Sequence, residues 1–132
     1  MHPLPTAVPP TASTLVEIPC NWYMEDMTPM QFLPHAPNSH GYVSPTSIET
    51  MWKDRFQFLY SEGENEDDGE QGKGNSGKDI IFPLVLHPDT SGMAHVIGMI
   101  DRMIAWLIAK GDEVKFVKYE DCARAWKSHQ RI

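Results

Sequence analysis

Residues 61–79 (SEGENEDDGEQGKGNSGKD) hold five glycines, seven acids and no apolar side chain, so they cannot contribute to a hydrophobic core. Any core must therefore be assembled from two separated pieces, 15–60 and 80–128. We read 61–79 as a flexible acidic surface insertion in a single domain spanning 15–128. Residues 1–14 contain four of the eleven prolines and almost no charge, which suits a disordered leader, and 129–132 read as a short tail.

Most of the formal charge of −7 is carried by that insertion, which sets seven acids against two lysines and leaves only −2 for the rest of the chain. No basic stripe remains to displace counterions, so nucleic-acid binding is not expected. The longest apolar run, residues 80–86, is far shorter than the roughly 20 residues that cross a bilayer, so no membrane span is expected. Cys20 and Cys122 lack the paired spacing of a zinc knuckle or a redox motif. As free thiols they fit a reducing, cytoplasmic compartment.

Between these limits the pattern alternates. Leu15-Val16-Glu17-Ile18 reads as a short strand ended by Pro19, and residues 28–42, with prolines at 29, 34 and 37, read as a long ordered loop. Ser44-Pro45 opens a helix whose apolar face is Ile48, Met51, Trp52, Phe56 and Leu59, with Glu49 outside it. The aliphatic run 79–86 suits a buried strand. A helix over 93–109 with Val96, Ile100, Met103, Ile104, Leu107 and Ile108 on one face follows, then a strand at 114–117 and a helix at 119–127. This order predicts an α/β fold with about three parallel strands.

Two places stand out as chemistry. His87 follows the most hydrophobic predicted strand, where parallel α/β folds present polar groups to ligands, and Pro88 stiffens its presentation. The run Asn21-Trp22-Tyr23-Met24-Glu25-Asp26 offers two aromatics able to wall a pocket and two acids able to orient a histidine or hold a substrate donor. Each has a plainer reading, a loop histidine with one hydrogen bond and a pair of packed aromatics beside solvated acids. The pairs His35/His40 and His87/His95 lack the i,i+4 spacing of a helical zinc motif, so no metal site is assigned within the chain. No GxSxG, P-loop or GxGxxG is present.

The segments Val16-Glu17-Ile18-Pro19, Asn21-Trp22-Tyr23, Pro37-Asn38-Ser39-His40-Gly41, Phe82-Pro83 and His87-Pro88-Asp89, in this order, carry a resemblance. Together they resemble the carboxyl-terminal part of polysaccharide deacetylases, in the branch of the Helicobacter-type peptidoglycan deacetylase and its allantoinase-like relatives. The resemblance covers Leu15 to about Ser128 apart from the insertion. It implies the C-terminal portion of a distorted (β/α) barrel and a hydrolase of non-peptide C–N bonds acting on an N-acetylated sugar or related small amide. It also implies a divalent metal, usually zinc, held by an aspartate and two histidines that precede this stretch, so the chain alone is expected to be inactive.

In that family a histidine at the position of His87 protonates the departing nitrogen, and the positions of Trp22, Tyr23 and Asp26 line the pocket. The sequence departs from the family pattern at Met24-Glu25-Asp26, where Leu-Asp-Asp is common, and at Met93-Ala94, where Arg-Pro is common. An alternative from another class is a non-catalytic interaction or oligomerisation module derived from the same family, burying strand edges against a partner copy, as in a homo-oligomer, or against a related full-length subunit.

Overall fold

The computed structural model describes residues 14–37, 41–65 and 80–128; all but the last residue of the expected leader, the tail and most of the acidic insertion lie outside these residues. Five α-helices appear in chain order among them: α1 (Met27–Met30), α2 (Pro45–Asn65), α3 (Pro88–Ser91), α4 (Ile97–Ile108) and α5 (Tyr119–Ser128). Trp22–Met24 and Gly111–Glu113 form 3₁₀ turns. Helix α2 enters the first five residues of the expected insertion.

The α/β expectation is overturned. No strand forms among the described residues, and the three segments read as parallel strands, 15–18, 79–86 and 114–117, form no ladder where they are described. A single parallel bridge joins Glu25 to Val85, through the Val85 amide donating to the Met24 carbonyl at 2.9 Å. A β-branched apolar segment favours extended backbone, but a strand also needs a neighbour presenting donors and acceptors in register. Pro19 and Pro83 each remove a donor from such an edge. The described part of the chain is therefore a helical assembly and not a portion of a (β/α) barrel.

Helix α2 begins at Pro45, where the missing amide is not needed, and the Ser44 carbonyl accepts from Ser47 and Ile48. Ile48, Trp52 and Phe56, four residues apart, bury one stripe against α4. Helix α4 is apolar nearly all round, so its sequence alone does not fix which face turns inward. Val96, Met99, Met103 and Leu107 are buried, whereas Ile104 and Ile108 of the expected face remain exposed. Met24 and Met30 complete the core from the first segment.

The helix pair is closed at one end by aromatic packing. The Phe56 ring meets Trp106 edge-on at 5.2 Å and Phe82 at 5.3 Å, and the Lys110 ammonium lies 4.9 Å from the Trp106 ring. Along the same pair runs a buried charge. Glu49, 8 % exposed, accepts from Arg102 Nε and Nη2 of α4 at 3.0 and 2.7 Å and from Lys53 at 2.6 Å.

The Arg102 hydrogen bond, against the opposing effect of burial, holds the Glu49 carboxyl below its ordinary value of 4.5. A depressed carboxyl stabilises the fold above its unfolded value, and that stability is lost as pH falls through the folded value. Melting midpoints followed from about pH 6 to about pH 3 should therefore drop more steeply in the wild type than in Glu49→Gln. Parallel curves would mean that the ion pair does not couple the helices.

Candidate functional site

Between the core and the surface, the chain around residues 21–27 crosses the segment 85–91. Asn21 starts the 3₁₀ turn, its Oδ1 accepting from the Tyr23 amide at 2.9 Å. The Trp52 indole N–H then donates to the Tyr23 carbonyl at 2.9 Å, fixing this turn on α2. Met24 is buried, and the next two residues, both acids, are buried with it.

Glu25 and Asp26 divide two tasks. The Glu25 carboxylate accepts from the Met27 and Thr28 amides at 3.0 and 2.9 Å, satisfying the open amino end of α1. Asp26 is 0 % exposed. Its Oδ1 accepts from the His87 amide at 3.0 Å and from His87 Nδ1 at 2.8 Å, and its Oδ2 accepts from the His87 amide at 3.2 Å and from the Ser91 hydroxyl.

On the other side, Pro88 sits in the first turn of α3 and His87 precedes it in extended backbone. Gly92 follows this helix, and a side chain is not accommodated there because a Cβ would stand 2.7 Å from the Pro88 carbonyl oxygen. The Gln31 side chain ties α3 to the first segment, donating to Asp89 and accepting from Thr90, each at 3.1 Å. The imidazole is thus held through its own backbone, its ring and the helix that follows it.

His87 keeps about a third of its side chain in contact with solvent. With Nδ1 committed to Asp26, the ring geometry leaves Nε2 as the nitrogen available to a ligand. A cavity of about 470 Å³ lies beside it, lined by Cys20, Asn21, Trp22, Glu25, Met27, Val85 and His87. The Asp26 hydrogen bond is the main cause holding the His87 pKa above the ordinary 6.5. Burial opposes it, and the charges of Asp26, Glu25 and Asp89 reinforce it.

Of the residues singled out in the sequence, Trp22 (78 % exposed) and His87 line this cavity, and Asp26 lies behind the imidazole. Tyr23 does not line it; its ring, 63 % exposed, lies under the Arg55 guanidinium at 5.8 Å. Glu25 lines the cavity while capping α1, with Oε2 3.8 Å from His87 Nδ1. Sequence reasoning passed over Ser91 and Gln31. The spacing of Ser91, four residues after His87 across a helix-starting proline, was a usable signal, because it returns the hydroxyl to the side of the histidine. Gln31 had none.

Glu25, Asp26 and His87 bring ligating atoms within 4.8 Å of one another. They are not the aspartate and two histidines by which the resemblance implies that a divalent ion is held. Each of the four carboxylate oxygens already accepts a hydrogen bond, and Nδ1 is given to Asp26. The cluster orients an imidazole.

No protein-family model matches the chain. A peptidoglycan deacetylase-like protein of Gibberella zeae is 56 % identical over 115 residues, covering 87 % of this chain. The peptidoglycan deacetylase of Helicobacter pylori is 36 % identical over 109 residues, covering 83 % of this chain. In both cases the chain spans 32 % of the relative's length. Among the described residues, no helix is long and apolar enough to cross a membrane.

Proposed function

We propose, for a chain that belongs with the polysaccharide deacetylases, that His87 and Asp26 form the proton-delivering wall of a site that removes an acetyl group from a sugar amide. The observation that carries this reading is the fully buried Asp26 carboxylate, 2.8 Å from Nδ1 of an imidazole whose other nitrogen is free to meet a ligand at the cavity. An amide nitrogen is a poor leaving group until it is protonated. A histidine whose pKa is held above its ordinary value can supply that proton as the C–N bond breaks, which contributes about 10²–10⁴-fold in rate.

Each neighbour has a part in this. Asp26 fixes the tautomer and stabilises the imidazolium, while Ser91 and the His87 amide hold the carboxylate in place. Trp22 offers an exposed aromatic face to a sugar ring, and Glu25 places a second negative charge near the proton. The free thiols of Cys20 and Cys122 support a cytoplasmic setting.

Titrating the 132-residue chain with an N-acetylglucosamine pentasaccharide tests the site. The His87 imidazole and Trp22 indole resonances should shift together, and the His87→Ala variant should leave a smaller Trp22 shift. Signals of both residues that stay unmoved at saturating sugar would remove the reading.

A further inference from the structure

Helix α3 is a single turn, and a single turn cannot set its own orientation. Forming a first turn fixes several backbone angles for one hydrogen bond, so α3 stands only where its side chains are held. Its last residue, Ser91, donates to the Asp26 carboxylate behind the imidazole. The rotation of α3 is therefore a variable of the site.

The two residues before Ser91 both meet Gln31. Its Nε2 donates to Asp89 Oδ2 and its Oε1 accepts from the Thr90 hydroxyl, each at 3.1 Å. A primary amide can do both, because it carries a donor and an acceptor side by side. Thr90 is 0 % exposed, so withdrawing the amide oxygen takes a partner from a buried hydroxyl.

Gln31 is in turn placed by α1, since its backbone amide donates to the Met27 carbonyl at 2.8 Å. Glu25 caps the other end of α1, and Asp26 is the residue from which that helix starts. The contacts close on themselves, from Asp26 along α1 to Gln31, across to Asp89 and Thr90, and back through Ser91 to Asp26. Gln31 is where this circuit crosses from the first segment to α3 away from the carboxylate.

We propose that Gln31 is a positioning residue for His87: by gripping Asp89 and Thr90, its amide group sets the turn that carries Ser91 to Asp26. This rests on the reading of His87 and Asp26 as the proton-delivering pair, and its test is made without sugar. Two members of the turn act on the imidazole. The charge of Asp89 adds to those of Asp26 and Glu25 around the ring, and Ser91 helps to hold the carboxylate that is the main cause of its raised pKa.

An NMR titration of His87 in the 132-residue chain reads the effect. Gln31→Met removes both bonds at nearly constant length, and the His87 pKa should fall toward the ordinary 6.5. Thr90→Val, which keeps the shape and loses the hydroxyl, should lower it too, whereas Thr90→Ser keeps the wild-type value. Adding Thr90→Val to Gln31→Met should lower it little further, because both act through one contact. Leu107→Ala, which opens the core on α4 instead, should lower the melting midpoint and leave the His87 pKa unmoved.

A wild-type His87 pKa in Gln31→Met overturns the positioning role, as does an equal fall in Leu107→Ala. If Gln31→Met does not fold, the threonine pair decides alone: a wild-type value in Thr90→Val, or equal falls in both variants, overturns it. These shifts, seen in a chain whose His87 and Trp22 resonances ignore sugar, would sustain Gln31 as a positioning residue and sink the assignment of His87 to proton delivery.

Discussion

Trp52→Ala should cost about 3–5 kcal/mol of folding stability, a large share of the roughly 5–15 kcal/mol that holds a domain together. The indole is 0 % exposed and stands in the middle of the stripe that α2 lays on α4. Removing it opens a void among methionines and phenylalanine that the helix pair cannot collapse without shifting. It also leaves the Tyr23 carbonyl without its donor, two residues before Glu25.

Urea unfolding followed by circular dichroism measures the loss, and Trp52→Phe divides it. Phenylalanine keeps much of the volume and lacks the N–H, so it should cost about 1–2 kcal/mol beyond its smaller size. A loss below about 1 kcal/mol for the alanine variant would contradict the packing of these two helices.

The second large effect is expected for Asp26→Asn. The amide presents one acceptor oxygen and an NH₂ group to three donors, the His87 amide, His87 Nδ1 and the Ser91 hydroxyl. At least one buried donor loses its partner, at a cost of about 1–3 kcal/mol. The imidazolium loses its main support at the same time, and the His87 pKa should fall below its wild-type value in an NMR titration.

The pH dependence has a definite sign. A histidine whose pKa is raised on folding stabilises the native state fully below its unfolded value, near the ordinary 6.5, and that stability is lost as pH rises through the higher folded value. The wild type should therefore gain stability relative to Asp26→Asn on going from about pH 8 to about pH 5.5. A constant difference across that interval would show that Asp26 does not sense the charge on His87.

The helices were largely legible because their apolar residues recur at three and four positions, a period that backbone geometry reads locally. Strand pairing was not legible: 15–18, 80–86 and 114–117 have the composition of strands, yet a ladder depends on what lies alongside, and Val85 alone finds a parallel bridge. The rotation of α4 escaped for a related reason, since Ile104 and Met99 are equally fit to be buried and the partner helix decides between them.

Glu49 shows the limit for charges. Its spacing to Lys53 is visible as an i,i+4 pair, but its second partner, Arg102, lies 53 positions away. At the candidate site, His87 was legible from its place between an aliphatic run and a proline, and the acids at 25 and 26 from their place after two aromatics. That Asp26 lies against the imidazole, while Tyr23 turns toward Arg55, follows from the crossing of two distant segments.

The contact between Asp26 and His87 joins residues 61 positions apart. It makes the intervening chain a closed ring, and the entropy of closing a flexible ring grows only with the logarithm of its length. Doubling the length costs about 0.6 kcal/mol. Length added between these two anchors outside α2, whose stripe packs on α4, is therefore cheap, and insertions or deletions there can accumulate while the imidazole keeps its seat.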